Sequence, residues 1–245
     1  MKHTYCELES IHRWFFIKKH HHPQVRKVIQ IRSFLVQHYL IVDHDTIDLI
    51  DAGFLGGISQ IQKALAELGK DLCDIRSIIL THGHLDHTLN VAKLQKISGC
   101  QVFAHQRERE HMEGRHHYRG LTRLCGWLEA IGHLLFRFQA PKITQYFHDS
   151  DQIIGLKVID LPGHTNGHCG FLLEEEKLLI AGDLFATHFG KSIIPPRILN
   201  DDHAEVKQSI RKAAAMDLDG VLLNHAKELT PQEGLRALID LADHL

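Results

Sequence analysis

Thr81-His82-Gly83-His84-Leu85-Asp86-His87 places four strong metal ligands within six residues. It follows a short apolar run, Ile75–Leu80, that reads as a buried strand, and it opens a helical stretch, His87–Ile97, with Gly99 as its stop. If strand geometry persists, His82 and His84 point the same way, because side chains alternate along an extended chain. Asp86 and His87 then start the helix and face a second position beside the first. Imidazole and carboxylate together suit zinc, iron or manganese. A polar helix start capped by Asp86 would explain the carboxylate but would not need three histidines.

Upstream, Val28–Ile31, Phe34–Val42 and Thr46–Ile50 are rich in β-branched and aromatic residues and read as strands. Asp51-Ala52-Gly53 breaks the run, and Ile58–Leu68 has helical spacing with Gly69 as its stop. Downstream, Gln101–Ala104 is the next strand, so the order suggests a crossover unit on a sheet. Residues 105–148 interrupt this alternation. Within them His105–Glu113 is charged and helix-prone, whereas Leu124, Trp127, Leu128, Ile131, Leu134, Leu135 and Phe138 recur at helical spacing. Three readings of the 121–138 region stay open: a lid over an acyl chain, a homodimer contact, or a helix packed into the core. Strands are expected again at Val158–Leu161, Cys169–Leu173, Lys177–Ile180 and Gly220–Leu223, with a helix at Ala204–Met216. A last helix has Thr230 as cap, Pro231 at its first position and Glu233 completing a capping box.

Three more stretches repeat the design of the first. Pro162-Gly163-His164-Thr165-Asn166-Gly167-His168, Ala181-Gly182-Asp183 and Leu223-Asn224-His225 each follow an apolar strand and present a ligand just past its end. Open α/β sheets place their sites at such strand ends.

On the residues THGHLDH at 81–87, PGHTNGH at 162–168, AGD at 181–183 and His225, the chain resembles the metallo-β-lactamase superfamily from about residue 28 to its end. The resemblance implies an α/β fold, an αββα four-layer sandwich with two mixed sheets packed face to face and helices outside. It implies that His82, His84 and His164 hold one metal, that Asp86, His87 and His225 hold a second, and that Asp183 bridges them. Asp51 matches a position that orients a ligand histidine; the plainer reading is a turn-forming Asp before Gly53. His168 is expected to be structural. The last histidine stands in Asn224-His225-Ala226, where the family favours flanking glycines.

The expected cofactor is two Zn2+, with iron or manganese as the alternative. Two divalent ions outweigh the ligand aspartates, so such a site favours a bound hydroxide over water. Asp86 is the candidate to accept or relay a proton, and His188 is a weaker candidate for substrate contact. The Asp at 183, where the best-known β-lactamases have a cysteine, resembles glyoxalase II and the acyl-homoserine lactonases. Only 20 residues follow His225, so the added helical domain of glyoxalase II is not expected. The working expectation is hydrolysis of an ester, thioester or lactone. One alternative is a persulfide dioxygenase with a single iron on His82, His164 and Asp183; another is a non-catalytic binding module.

Bulk composition narrows the class. The chain has 245 residues, a net charge of −2 and 44% hydrophobic residues, ordinary for a single globular domain; the partner the resemblance implies is a small-molecule substrate. Near-neutral charge offers no argument for nucleic acid or an anionic membrane. Five cysteines without a CxxC pair fit reduced thiols and a cytoplasmic setting. Residues 1–24, ending in His20-His21-His22-Pro23, read as an N-terminal extension to a domain spanning 25–245.

Overall fold

The computed structural model describes residues 26–188, 190–226 and 229–245, and the backbone of 13–17. The first sheet has seven strands in chain order: β1 (Arg13–Ile17), β2 (Arg26–Arg32), β3 (Gln37–Asp43), β4 (Thr46–Ile50), β5 (Ile75–Ile79), β6 (Gln101–His105) and β7 (Gln145–Phe147). The meander from β1 to β4 is antiparallel, and β4 to β7 run parallel. The parallel half needs crossovers, which are α1 (Gly57–Glu67), then α2 (Leu85–Thr88) and α3 (Val91–Ser98), then the segment containing α4 (Arg109–Met112) and α5 (Arg123–Leu135). The second sheet contains β8 (Gln152–Ile153), β9 (Leu156–Asp160), β10 (Cys169–Leu173) and β11 (Leu178–Ile180). A small hairpin, β12 (Ala186–His188) and β13 (Lys191–Ile193), follows, then α6 (His203–Ala214). The last strand, β14 (Gly220–Leu222), lies parallel to β11 at the sheet edge, and α7 (Pro231–Asp243) closes the described chain.

Side-chain alternation sorts the apolar residues into three layers. Tyr39, Ile41, Ile50, Ile79 and Phe103 of the first sheet meet Val158, Phe171, Ile180 and Leu222 of the second, forming the central layer. The opposite faces carry Leu40, Leu49 and Ile78 against Ile61, Leu65 and Leu94 of the first helices. Leu179 and Val221 pack against Val206, Ile210 and Leu238 of α6 and α7. Two mixed sheets face to face with helices outside is the expected αββα sandwich.

Several local expectations shift. The strand expected from Phe34 starts at Gln37. Residues 33–36 instead form a tight turn in which Ser33 N–H donates to Val36 O, with Leu35 in the left-handed region at φ 63. The helix expected at 87–97 is split in two. Residues 13–17, which the sequence places in an extension, form the edge strand β1; His20 to His22 lie outside the described residues. The Thr230 capping box forms as read.

The helix expected at 121–138 is present as α5, but it does not pack into the core. Its buried residues are Cys125 and Gly132, while Leu124, Trp127, Leu128, Leu134 and Leu135 are exposed. Helical periodicity reports an apolar stripe; it does not report which way the stripe faces.

Candidate metal centre

All the ligand-bearing turns emerge beside one another, past the ends of β5, β9, β11 and β14. Three imidazole nitrogens converge first. His84 Nδ1 lies 3.1 Å from His82 Nε2 and 3.0 Å from His164 Nε2. Ligands on a tetrahedral zinc at about 2.0–2.1 Å are separated by roughly 3.3 Å, so this spacing fits one ion. Asp183 Oδ2 stands 3.5 Å from His164 and 4.0 Å from His82. A second group adjoins it. His225 Nε2 is 3.1 Å from both Asp86 Oδ2 and Asp183 Oδ2, and His87 Nε2 is 3.4 Å from Asp183 Oδ1. Thus the two Asp183 oxygens reach both groups. His87 Nε2 and Asp183 Oδ1 are buried and, though 3.4 Å apart, make no well-formed hydrogen bond with each other or with another described group, which leaves both able to take an ion.

The outer nitrogen of most ligand histidines is held by another group. His82 Nδ1 meets Thr81 Oγ1 at 3.0 Å, and His164 Nδ1 meets the Asn200 side-chain oxygen at 3.0 Å. His87 Nδ1 meets Asp51 Oδ2 at 2.9 Å, and His225 Nδ1 meets the Leu35 carbonyl at 2.9 Å. Such contacts set the tautomer and leave the inner nitrogen free to ligate. The turn that displaced the expected strand thus aims a ligand. His168 is braced on both nitrogens, by Leu161 O and by the Asp183 N–H that it accepts, which agrees with a structural role.

Asp51 is buried at positive φ (56°), an unfavourable conformation for a residue other than glycine. Its carboxylate accepts from Thr81 N, Thr81 Oγ1 and Asn224 Nδ2 at 2.7–2.9 Å, besides holding His87. Asn224 fills the position before the last histidine where the sequence lacks the family's glycine, and it ties that turn to Asp51.

Glu108 was missed entirely at the level of sequence. It lies in the stretch His105–Glu113, which reads as charged and helix-prone, yet it is fully buried. One oxygen accepts from Gly83 N at 2.8 Å and the other from Gly167 N at 2.7 Å. The carboxylate therefore straps together the two histidine loops, which belong to different sheets. Both contacts need glycine: a Cβ on Gly83 would come within 2.2 Å of His111 Cβ, and one on Gly167 within 2.8 Å of Glu108 itself.

Electrostatics divides the site. Burial, the largest influence, holds His82 well below its ordinary value and brings His84 and His164 down to about 4, so these three are neutral at pH 7. Burial also opposes charge on His87 and His225, but Asp183 and Asp86 outweigh it. They raise His87 well above its ordinary value and push His225 up to about 10. Asp86 and Asp183 are held low in return by these imidazoliums, against their own burial.

Not every candidate joins the centre. His188 is exposed on β12 and does not line the cleft above the site. His111, His116 and Asp201 form a further group nearby. Its two rings stack at 3.6 Å and 15°, so their in-plane lone pairs do not meet at one ion.

The fold and the site define an αββα protein whose buried His and Asp side chains converge in adjacent groups that fit a dinuclear metal site. The chain belongs to the metallo-beta-lactamase superfamily, whose family profile matches residues 33–225. It is 24% identical over 215 residues to the probable metallo-hydrolase YflN of Bacillus subtilis, covering 80% of this chain and 81% of that protein. It is 26% identical over 197 residues to the hydroxyacylglutathione hydrolase GloC of Haemophilus influenzae, covering 76% and 82%. Among solved structures, the metallo-beta-lactamase family protein TTHA1429 of Thermus thermophilus superposes with a TM-score of 0.67 at 20% identity, covering 96% of this chain and 79% of that one. TTHA1623, solved in a di-iron-bound form, gives 0.64 at 21% identity, covering 84% and 95%.

Three outcomes are expected. In the metal-free protein the charged His225 contributes stability that is fully present below its unfolded value of about 6.5 and is lost as pH rises toward 10. Metal must displace the protons on His87 and His225, so loading at pH 8 should release about two protons per chain besides any from water. Calorimetry in buffers of different ionisation heat measures this; no net proton release on loading would contradict it. Glu108→Gln keeps one acceptor and sets an NH2 group against the other loop. Metal affinity should fall about 10- to 100-fold in a chelator competition.

Proposed function

We propose that the chain is a metal-dependent hydrolase of esters, thioesters or lactones whose acyl part is apolar. The observation that carries this reading is the Asp183 carboxylate reaching two ligand groups, at the floor of a cleft with mostly apolar walls. His82, His84 and His164 would hold one ion, Asp86, His87 and His225 the other, and Asp183 both. When bound, two divalent ions, zinc in this reading, would supply a nucleophile from water near neutral pH and polarise the carbonyl. The chain's own part is to fix the imidazoles through Thr81, Asn200, Asp51 and the Leu35 carbonyl, and to keep water from the acyl chain. We assign proton handling to Asp86, whose carboxylate borders the cleft, 3.1 Å from His225.

The cleft, of about 380 Å³, is walled by Phe54, Leu85, Leu128, Phe185, Ile193, Pro195, Pro196 and Leu199. This size suits a small-molecule ligand. Among the described residues no Lys or Arg lines it, so the carboxylates of a glutathione thioester or a phosphodiester would find no counter-charge there. The lining therefore favours an apolar acyl group, although the Haemophilus influenzae relative is named for a glutathione thioester. A single-iron centre on His82, His164 and Asp183 would not use the Asp86, His87 and His225 group, which the two-ion reading does. The di-iron neighbour supports iron as the alternative to zinc.

Protein purified without a metal-affinity step should contain two metal ions per chain by elemental analysis. It should hydrolyse medium-chain acyl esters, thioesters or lactones in preference to glutathione thioesters and phosphodiesters. One iron per chain, with oxygen uptake on glutathione persulfide, would overturn the reading. Asp86→Asn that retains both ions should lose about 10²- to 10⁴-fold in turnover, the usual scale of general acid–base catalysis. Full turnover by that loaded variant would remove Asp86 from the proton path.

A further inference from the structure

The helix α5 is built inside out. At about 3.6 residues per turn, Leu124, Trp127, Leu128, Ile131, Leu134 and Leu135 fall on one arc. Apart from the half-buried Ile131, each is at least half exposed, and Trp127 is 61% exposed. The side turned to the protein is small. A Cβ on Gly126 would meet Tyr118 at 2.3 Å, and one on Gly132 would meet Leu85 at 2.5 Å. Glu129, also on that side, accepts from Leu85 N and Tyr118 Oη. The helix is therefore seated by fitted contacts on its inner face, and turning the apolar arc inward would break them.

The arc continues into the cleft. Leu128 belongs to both. The Phe136 ring, just past α5, packs edge-on against Phe54 of the cleft wall at 5.4 Å, and Phe54 in turn neighbours the exposed Phe34 at 6.4 Å. An apolar strip thus runs from the helix across the mouth to the turn whose Leu35 carbonyl holds His225.

Charge identifies the occupant. Arg115 is paired with Glu113, and beyond it residues 116–142 contain Arg119, Arg123, Arg137 and Lys142 against one acid, Glu129, which is engaged as above. Arg119, Arg123, Arg137 and Lys142 are exposed. The net charge of −2 averages this local excess away. A second copy docked by two-fold symmetry would bring the same arginines together from both sides. An anionic lipid surface neutralises them while taking up the leucines and Trp127, the pattern of a helix lying in the membrane interface. Among the described residues no helix is long and apolar enough to cross a membrane, so the contact is peripheral.

We propose that α5 and its arginine border dock this protein on anionic membranes, with the mouth of the cleft against the lipid. The docking stands whether or not the hydrolase reading does, because its test needs no turnover. The full-length protein is mixed with vesicles of phosphatidylcholine alone, or with added phosphatidylserine, and assayed by co-sedimentation and tryptophan emission. Binding is expected on the anionic vesicles, weakening with salt and accompanied by a blue shift that Trp127→Phe removes. Each of Arg119→Ser, Arg123→Ser and Arg137→Ser should lower partitioning about fivefold. Leu124→Gln with Trp127→Gln should abolish it while the circular dichroism is unchanged. Equal binding to neutral vesicles, or none to either, overturns the proposal. So does concentration-dependent dimerisation that the Leu124→Gln/Trp127→Gln variant abolishes in the absence of vesicle binding.

Discussion

The buried carboxylate of Asp51 is the constraint on which the site depends. A buried charge without donors is costly, and this one is met by Thr81, His87 and Asn224. Those partners come from the turn after β5, from α2 and from the turn after β14. Satisfying Asp51 therefore sets the positions of three ligand-bearing segments at once, and the left-handed backbone at Asp51 is held by the same contacts. Glu108 does the corresponding work between the 81–87 loop and the 162–168 loop. Two buried carboxylates, neither facing an ion itself, hold the ligand turns in register across two sheets.

The centre has two chemically different halves. Burial keeps His82, His84 and His164 neutral, so their lone pairs are ready for a metal. Asp86, Asp183, His87 and His225 form a mutually neutralising cluster without metal. The first half is preorganised by desolvation, while the second is stabilised by ion pairing that a metal must replace. This order of readiness follows from where the carboxylates lie, since Asp183 reaches both halves while Asp86 pairs with His87 and His225.

The segment between β6 and β7 links the ligand turns, one wall of the cleft and the outer surface. It contributes Glu108 to the ligand scaffold, Cys125, Leu128 and Glu129 to the cleft, and the outward arc of α5 to the surface. One segment thus couples the candidate ligand turns to the character of the pocket mouth. Small residues on the inner face of α5 let it approach Leu85 closely, beside the ligand loop.

Much of the site was legible in the linear chain because each ligand lies just beyond an apolar strand, and strand ends are marked by local residue type. His82, His84, Asp86, His87, His164, Asp183 and His225 come together from those positions; the order of strands and helices reads as one α/β domain, and the sandwich itself was expected from the family resemblance. Their supports were not legible. Asn200, Glu108 and the Leu35 carbonyl act on residues far away in the chain, and a single buried acid in a charged stretch has no periodic signature. The Phe34–Val36 turn looked like strand because its residues are apolar, whereas the Leu35 backbone had to turn to meet His225. The direction of the α5 stripe was likewise open, since periodicity defines a face without its partner. The sequence by itself determined which groups are available to bind metal; the tertiary structure decided which are held neutral, which are charged and which apolar face is left to solvent, because burial and charge depend on neighbours that only folding brings near.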